Sequence, residues 1–125
     1  MKYFTRQEAD ALIPDLETLF KKIIALEAKA QVKLESLQAL EAKGDQPAQF
    51  ALEKGQIDFL AKEINVLLQS ILDLGAMPKG IDPALVDFPH RLGGKEVYLC
   101  WRLGEKKITH YHGLEGGFGA REPLP

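Results

Sequence analysis

Two rows of apolar residues, each stepping alternately by four and three, constrain this chain more than any other feature. In the first row Leu12, Leu16, Leu19, Ile23, Leu26, Ala30, Lys33, Leu37 and Leu40 follow one another, with Lys33 the polar member. In the second, Phe50, Glu53, Ile57, Leu60, Ile64, Leu67, Ile71 and Leu74 do the same. Such a row runs along one side of an α-helix, as heptad a and d positions do. Ile13, Phe20, Ile24 and Leu34 widen the first row, and Ala61, Leu68 and Leu72 widen the second. Stripes that broad predict helices touching more than one neighbour.

The punctuation fits two antiparallel helices. Thr5 and Glu8 in "TRQE" form a capping box, with Phe4 just before it as the staple residue. Pro14 removes one helical hydrogen bond, so it should kink the helix or split off a short opening helix. Gly44 suits a left-handed C-terminal cap and Pro47 suits the first turn of the next helix. A link that short folds the second helix back on the first. Gly55 costs that helix roughly 1 kcal/mol relative to alanine. Gly75 closes it and Pro78 prevents its continuation.

The composition then changes. Nine of the 11 glycines, five of the seven prolines and all three histidines lie from Gly75 onward. Asp82-Pro83 signals a turn, "ALVDFP" reads as a short edge segment ended by Pro89, and Gly93-Gly94 marks a second turn. "VYLCWRL" and "ITHYH" read as the two strands of a β-hairpin around "GEKK". A two- or four-residue loop places His110 and His112 on the face of Val97, Leu99 and Trp101, with Cys100 behind. A three-residue loop instead sets Cys100 opposite His110 and Tyr98 opposite His112. Loops of that length usually end in glycine rather than begin with it, so the first arrangement is the expected one.

The predicted fold is α+β and mainly α. A long antiparallel helical hairpin, coiled-coil-like, fills residues 1–75 of a single 125-residue domain. A small β-hairpin and a Gly-rich tail fill residues 76–125. The helices carry more apolar surface than one partner helix covers. A homodimer pairing two hairpins into a four-helix bundle is the simple closed solution.

The rest of the composition excludes several classes. A net charge of −2 gives no general attraction to nucleic acid or anionic membranes. One cysteine cannot form an internal disulfide and fits a reducing cytoplasm. The opening residues have no apolar signal-peptide core, and no run is long enough to span a bilayer. The tail glycines follow no strand–helix junction and no "GK[ST]" occurs, so neither a dinucleotide fingerprint nor a phosphate loop is expected.

Three motifs carry a resemblance. "ALVDFP", Ala84 to Pro89, "VYLCWRLGE", Val97 to Glu105, and the closing "GGFGAR", Gly116 to Arg121, resemble an uncharacterised prokaryotic family, domain of unknown function 2203. The opening "FTRQEADALIPDL", Phe4 to Leu16, is similar to that family's capped first helix. The chain departs from its pattern at Thr109-His110, with Tyr111 taking the aromatic place before the last histidine. The family brings no activity. The resemblance implies that Asp87, Trp101, Glu105, His112, Phe118 and Arg121 fall on its distinctive positions.

These residues define two functional expectations. The first is an interaction or scaffold protein that meets a protein partner through the hairpin surface. The second is a metal- or small-ligand-binding protein, conceivably an enzyme, whose site draws on Asp87, Trp101, Glu105, His110, His112, Phe118 and Arg121. His110 and His112, two apart on one strand, would take a divalent metal ion if a third ligand such as Asp87 or Glu105 reached them. Arg121 is expected to pair with Asp87 or Glu105 inside the fold rather than bind an anion.

Overall fold

The computed structural model describes residues 2–125. Helix α1 runs from Arg6 to Lys43 and helix α2 from Pro47 to Asp73. Strands follow at Met77–Ile81 (β1), Ala84–Leu92 (β2), Lys95–Arg102 (β3), His110–Gly113 (β4) and Glu122–Pro123 (β5). They form one antiparallel sheet in the order β1-β2-β3-β4-β5. The chain divides into two compact units. The sheet unit joins the residues up to Phe20 to Ser70–Pro125, and the helical unit is Lys21–Gln69. The division therefore falls inside both helices, not at the composition change near Gly75.

The helix signals act as expected. The Glu8 backbone N–H donates to Thr5 Oγ1 at 3.1 Å, and the Thr5 N–H donates to Glu8 Oε1 at 2.9 Å, closing the capping box. Pro14 does not divide α1, which continues through it. Gly44 and Gly75 take positive φ at the two helix ends. Every residue of both apolar rows is buried or half-buried. Within the helical unit Lys33 Nζ donates to Gln56 at 2.8 Å and Ser36 Oγ donates to Glu53 at 3.1 Å. As α1 advances from 33 to 36, α2 recedes from 56 to 53, so the helices are antiparallel here. These bonds also give the two polar row members, Lys33 and Glu53, their partners.

The β region is larger than a hairpin. "MPKGI" reads as a breaker-rich loop yet forms β1, and β2 runs through Pro89 to Leu92. Pro89 is tolerated because its free backbone side faces away from β3, where its carbonyl accepts the Phe4 N–H at 2.7 Å. No ladder bond is lost there. Between Pro78 and Gly80 the register slips by one, which leaves Lys79 as a bulge. A Cβ on Gly80 would lie 2.9 Å from the Pro83 carbonyl, so the bulge requires glycine. Gly93 and Gly94 both have positive φ and make the two-residue β2–β3 turn.

The expected register between β3 and β4 is wrong. Cys100 pairs with His110 and Tyr98 pairs with His112. Residues 103–109 do not form a tight turn, so turn length does not set the pairing. Contacts with α1 do. Asp10 Oδ1 accepts the Ile108 N–H at 2.7 Å, and Arg6 Nε donates to the Ile108 carbonyl at 2.8 Å. Ile108 itself is fully buried. Trp101 Nε1 donates to the Glu105 carbonyl at 2.9 Å and holds the loop's other end.

This register sorts the faces. Val86, Phe88, Leu99 and Trp101 point to the core, with Phe4, Ile13, Leu16 and Phe20 of the N-terminal segment and α1, and Ile71 of α2. Phe4 meets Phe88 edge-on at 5.2 Å, and the Phe20 and Trp101 rings lie 6.1 Å apart. Each such side chain contributes about 1.5–3 kcal/mol by leaving water. The opposite face carries Asp87, Cys100 and His110 in one row and Pro89, Tyr98 and His112 in the next.

Candidate functional site

The polar sheet face is covered in part by the tail. Lys79, Leu85, Asp87, Tyr98, Cys100 and His112 from the sheet face Leu114, Gly116, Gly117 and Phe118 across a cavity of about 260 Å³. Cys100 thus shares a face with both histidines, contrary to expectation. Trp101 is separated from them. It lies fully buried on the core face and reaches the cavity only as part of its wall.

A buried pair sits at this cavity. His112 Nε2 lies 3.0 Å from Asp87 Oδ1, and the two residues are only 3% and 6% exposed. His112 Nδ1 lies 2.8 Å from the Gly113 carbonyl, which can only accept, so Nδ1 carries a proton. A second proton then lies between Nε2 and Oδ1. The Tyr98 ring stands 5.6 Å from the imidazole, and Lys79 Nζ lies 5.7 Å above the Tyr98 ring.

Glu105 and Arg121 form a separate pair. Arg121 donates from Nη2 to Oε2 at 2.6 Å and from Nη1 to Oε1 at 3.3 Å. Partial burial pushes the Glu105 carboxyl up, but the Arg121 hydrogen bonds, the Arg102 backbone N–H and the guanidinium charge together hold it below the usual carboxylate range. The same hydrogen bond, opposed by desolvation, raises Arg121 above its ordinary value. Arg121 also lies 4.4 Å over the Phe118 ring and 3.7 Å from Cys100 Sγ. Burial pushes the Cys100 thiol up, with Arg121 acting against it, and the net direction is upward. Cys100 is buried, and its thiol is held up rather than activated.

Of the seven residues picked from the sequence, Asp87, His112, Phe118 and Trp101 meet at the cavity, and Glu105 and Arg121 pair beside it. His110 stands apart, its Nδ1 2.8 Å from Thr109 Oγ1. Among the described residues no three His, Cys, Asp or Glu side chains are grouped to hold a metal ion. Of the groups named for a metal at His110 and His112, Asp87 does reach His112, but His110 is not grouped with them, and both His112 nitrogens are hydrogen-bonded, to Asp87 and to the Gly113 carbonyl. Lys79 and Tyr98 were missed. Lys79 is aimed by a bulge that no residue pattern announces, and Tyr98 joins the cavity only in the observed register.

The helical unit presents a second candidate surface. Leu52, Phe59 and Val66 stand seven residues apart on α2 and are 55%, 63% and 66% exposed, and Val32 on α1 is 67% exposed. They line two adjoining apolar grooves of about 800 and 440 Å³, which share Lys29 and Glu63. The seven-residue spacing was legible but hidden beside the stronger inner row. No described helix is long and apolar enough to cross a membrane.

The chain belongs to an uncharacterised conserved family, domain of unknown function 2203, whose model matches residues 2–124. No curated protein and no solved structure matches it.

Proposed function

We propose that this chain is a cytoplasmic interaction protein that works as a homodimer built through its helical unit. One observation carries the reading. Leu52, Phe59 and Val66 repeat at the heptad interval and stay more than half exposed in a single chain. A second copy is the occupant that the charges favour. Lys21–Gln69 holds seven lysines against seven acidic residues, so two copies meet without net repulsion. Gly55 lies between Leu52 and Phe59, with nothing within 4 Å of the place its Cβ would take. It leaves a hole of the kind that a facing side chain fills in coiled-coil packing. In this reading a protein partner meets the sheet unit rather than the helices. The single cysteine supports a reducing compartment. Mixing two differently tagged copies tests the dimer. The copy with the second tag is expected to co-purify with the copy captured by the first, and Phe59→Glu is expected to abolish this. Co-purification undiminished by Phe59→Glu would move the interface elsewhere.

A second reading is supported by the buried Asp87–His112 pair beside the cavity. A pocket with apolar walls and a few convergent polar groups is the default place for a small ligand. In this reading the sheet unit binds a small molecule.

A further inference from the structure

We propose that the cavity binds a small carboxylic acid carrying an N–H or O–H donor a few atoms from its carboxylate, the chemistry of an amino or hydroxy acid. The proposal rests on the ligand-binding reading of the sheet unit and specifies its ligand.

Asp87 sets one requirement. Its Oδ1 is committed to His112, and the proton between them sits on either the nitrogen or the oxygen. With the proton on nitrogen, Oδ2 is a carboxylate oxygen. With the proton on Oδ1, Oδ2 is a carbonyl oxygen. Both are acceptors, so the group offered to the cavity is the same in either state. Among the described residues no buried side-chain oxygen or nitrogen lacks a partner, so Oδ2, outside that bond, is the oxygen that meets the open space. A ligand there must donate.

Lys79 sets the opposite requirement. Its ammonium only donates, and the bulge holds it over Tyr98 at the cavity wall. Glu105 is already matched by Arg121, and Asp87 by His112. An anionic group on the ligand is the partner that Lys79 lacks. Leu85, Leu114 and Phe118 supply apolar wall for the remainder of the molecule. A cavity of about 260 Å³ falls below the roughly 300–1,000 Å³ of sites for drug-sized ligands, which limits the ligand to amino-acid size.

The test is a titration of nitrogen-15-labelled protein, followed by NMR, with four probes of one shape. These are leucine, 2-hydroxy-4-methylpentanoate, 4-methylpentanoate (no donor) and isoamylamine (no carboxylate). Leucine or the hydroxy acid is expected to move the Leu114, Gly116 and Gly117 amide signals and to bind at least ~10-fold more tightly than either single-function probe. The preference between those two identifies the donor as ammonium or hydroxyl. Lys79→Met, a change at an exposed side chain, is expected to weaken the better ligand roughly 10-fold while leaving the free spectrum otherwise unchanged. Equal binding of all four probes would overturn the proposed class while leaving a ligand-binding cavity. No shift with any probe at millimolar concentration would overturn the class and the ligand-binding reading together.

Discussion

The two units keep their costly groups in opposite places. The sheet unit buries Asp87 and His112, and each has its hydrogen bonds within the unit. The helical unit leaves Val32, Leu52, Phe59 and Val66 in water. Every apolar side chain of that size left exposed forfeits about 1.5–3 kcal/mol of burial. A unit whose buried polar groups are partnered internally needs no second chain to satisfy them. A unit with an apolar stripe in water has surface that a second chain can cover. In the proposed reading this contrast separates chemistry from assembly, with the ligand assigned to the sheet unit and the second copy to the helices.

The comparison can be broken in several ways, beginning with the core that makes the sheet unit self-sufficient. Trp101→Ala deletes a fully buried indole and its bond to the Glu105 carbonyl. It should cost about 3–5 kcal/mol in denaturant unfolding. That loss should be the same at low and high protein concentration, because no second copy is involved. A concentration-dependent loss would place Trp101 in an interface.

His112→Ala and Asp87→Ala should each cost about 3 kcal/mol, since either change strands a buried polar partner. The double variant should cost clearly less than the two losses added. Additive losses in this cycle would show that the two side chains do not depend on each other.

The Glu105–Arg121 pair gives a smaller effect with a defined pH dependence. Glu105 sits below its ordinary range in the folded chain, so its contribution is present above the unfolded value and is lost as pH falls through the folded one. Glu105→Gln should therefore cost about 1–2 kcal/mol near neutral pH and almost nothing once the pH has fallen below the lowered folded value of the Glu105 carboxyl. A cost that does not change with pH would mean that the ion pair contributes only its shape.

Gly55→Ala gives the smallest effect and separates the units most sharply. In a lone chain the new methyl meets open space, so the change should stabilise α2 by about 0.5–1 kcal/mol. Against a second copy the methyl enters an occupied hole, and the dimer should lose that gain or weaken. Stabilisation undiminished at high protein concentration would argue that nothing packs there.

Much of this was legible in the chain, and the failures have a common cause. The helices followed from local signals: the capping box, Gly44, Gly75 and the inner rows that prove covered. The Gly93-Gly94 turn was likewise local. What could not be read was set at long range. The β3–β4 register is fixed by Asp10 and Arg6, about a hundred positions from the Ile108 backbone they hold. Pro89 reads as a strand end only until the Phe4 N–H supplies its carbonyl with a partner. The candidate site inherits both problems. Asp87, His112 and Phe118 stood out by residue type, whereas Lys79 and Tyr98 depend on a bulge and on a register. Cys100 returned to the histidine face for the same reason.

The account rests on the exposed stripe of α2 being an interface, and the mass of the protein in solution tests this most directly. Size-exclusion chromatography with light scattering at micromolar concentration should give twice the mass of the 125-residue chain, and Phe59→Glu should give the mass of one chain with its helical content unchanged. A native protein that stays at the mass of one chain as its concentration rises would contradict it.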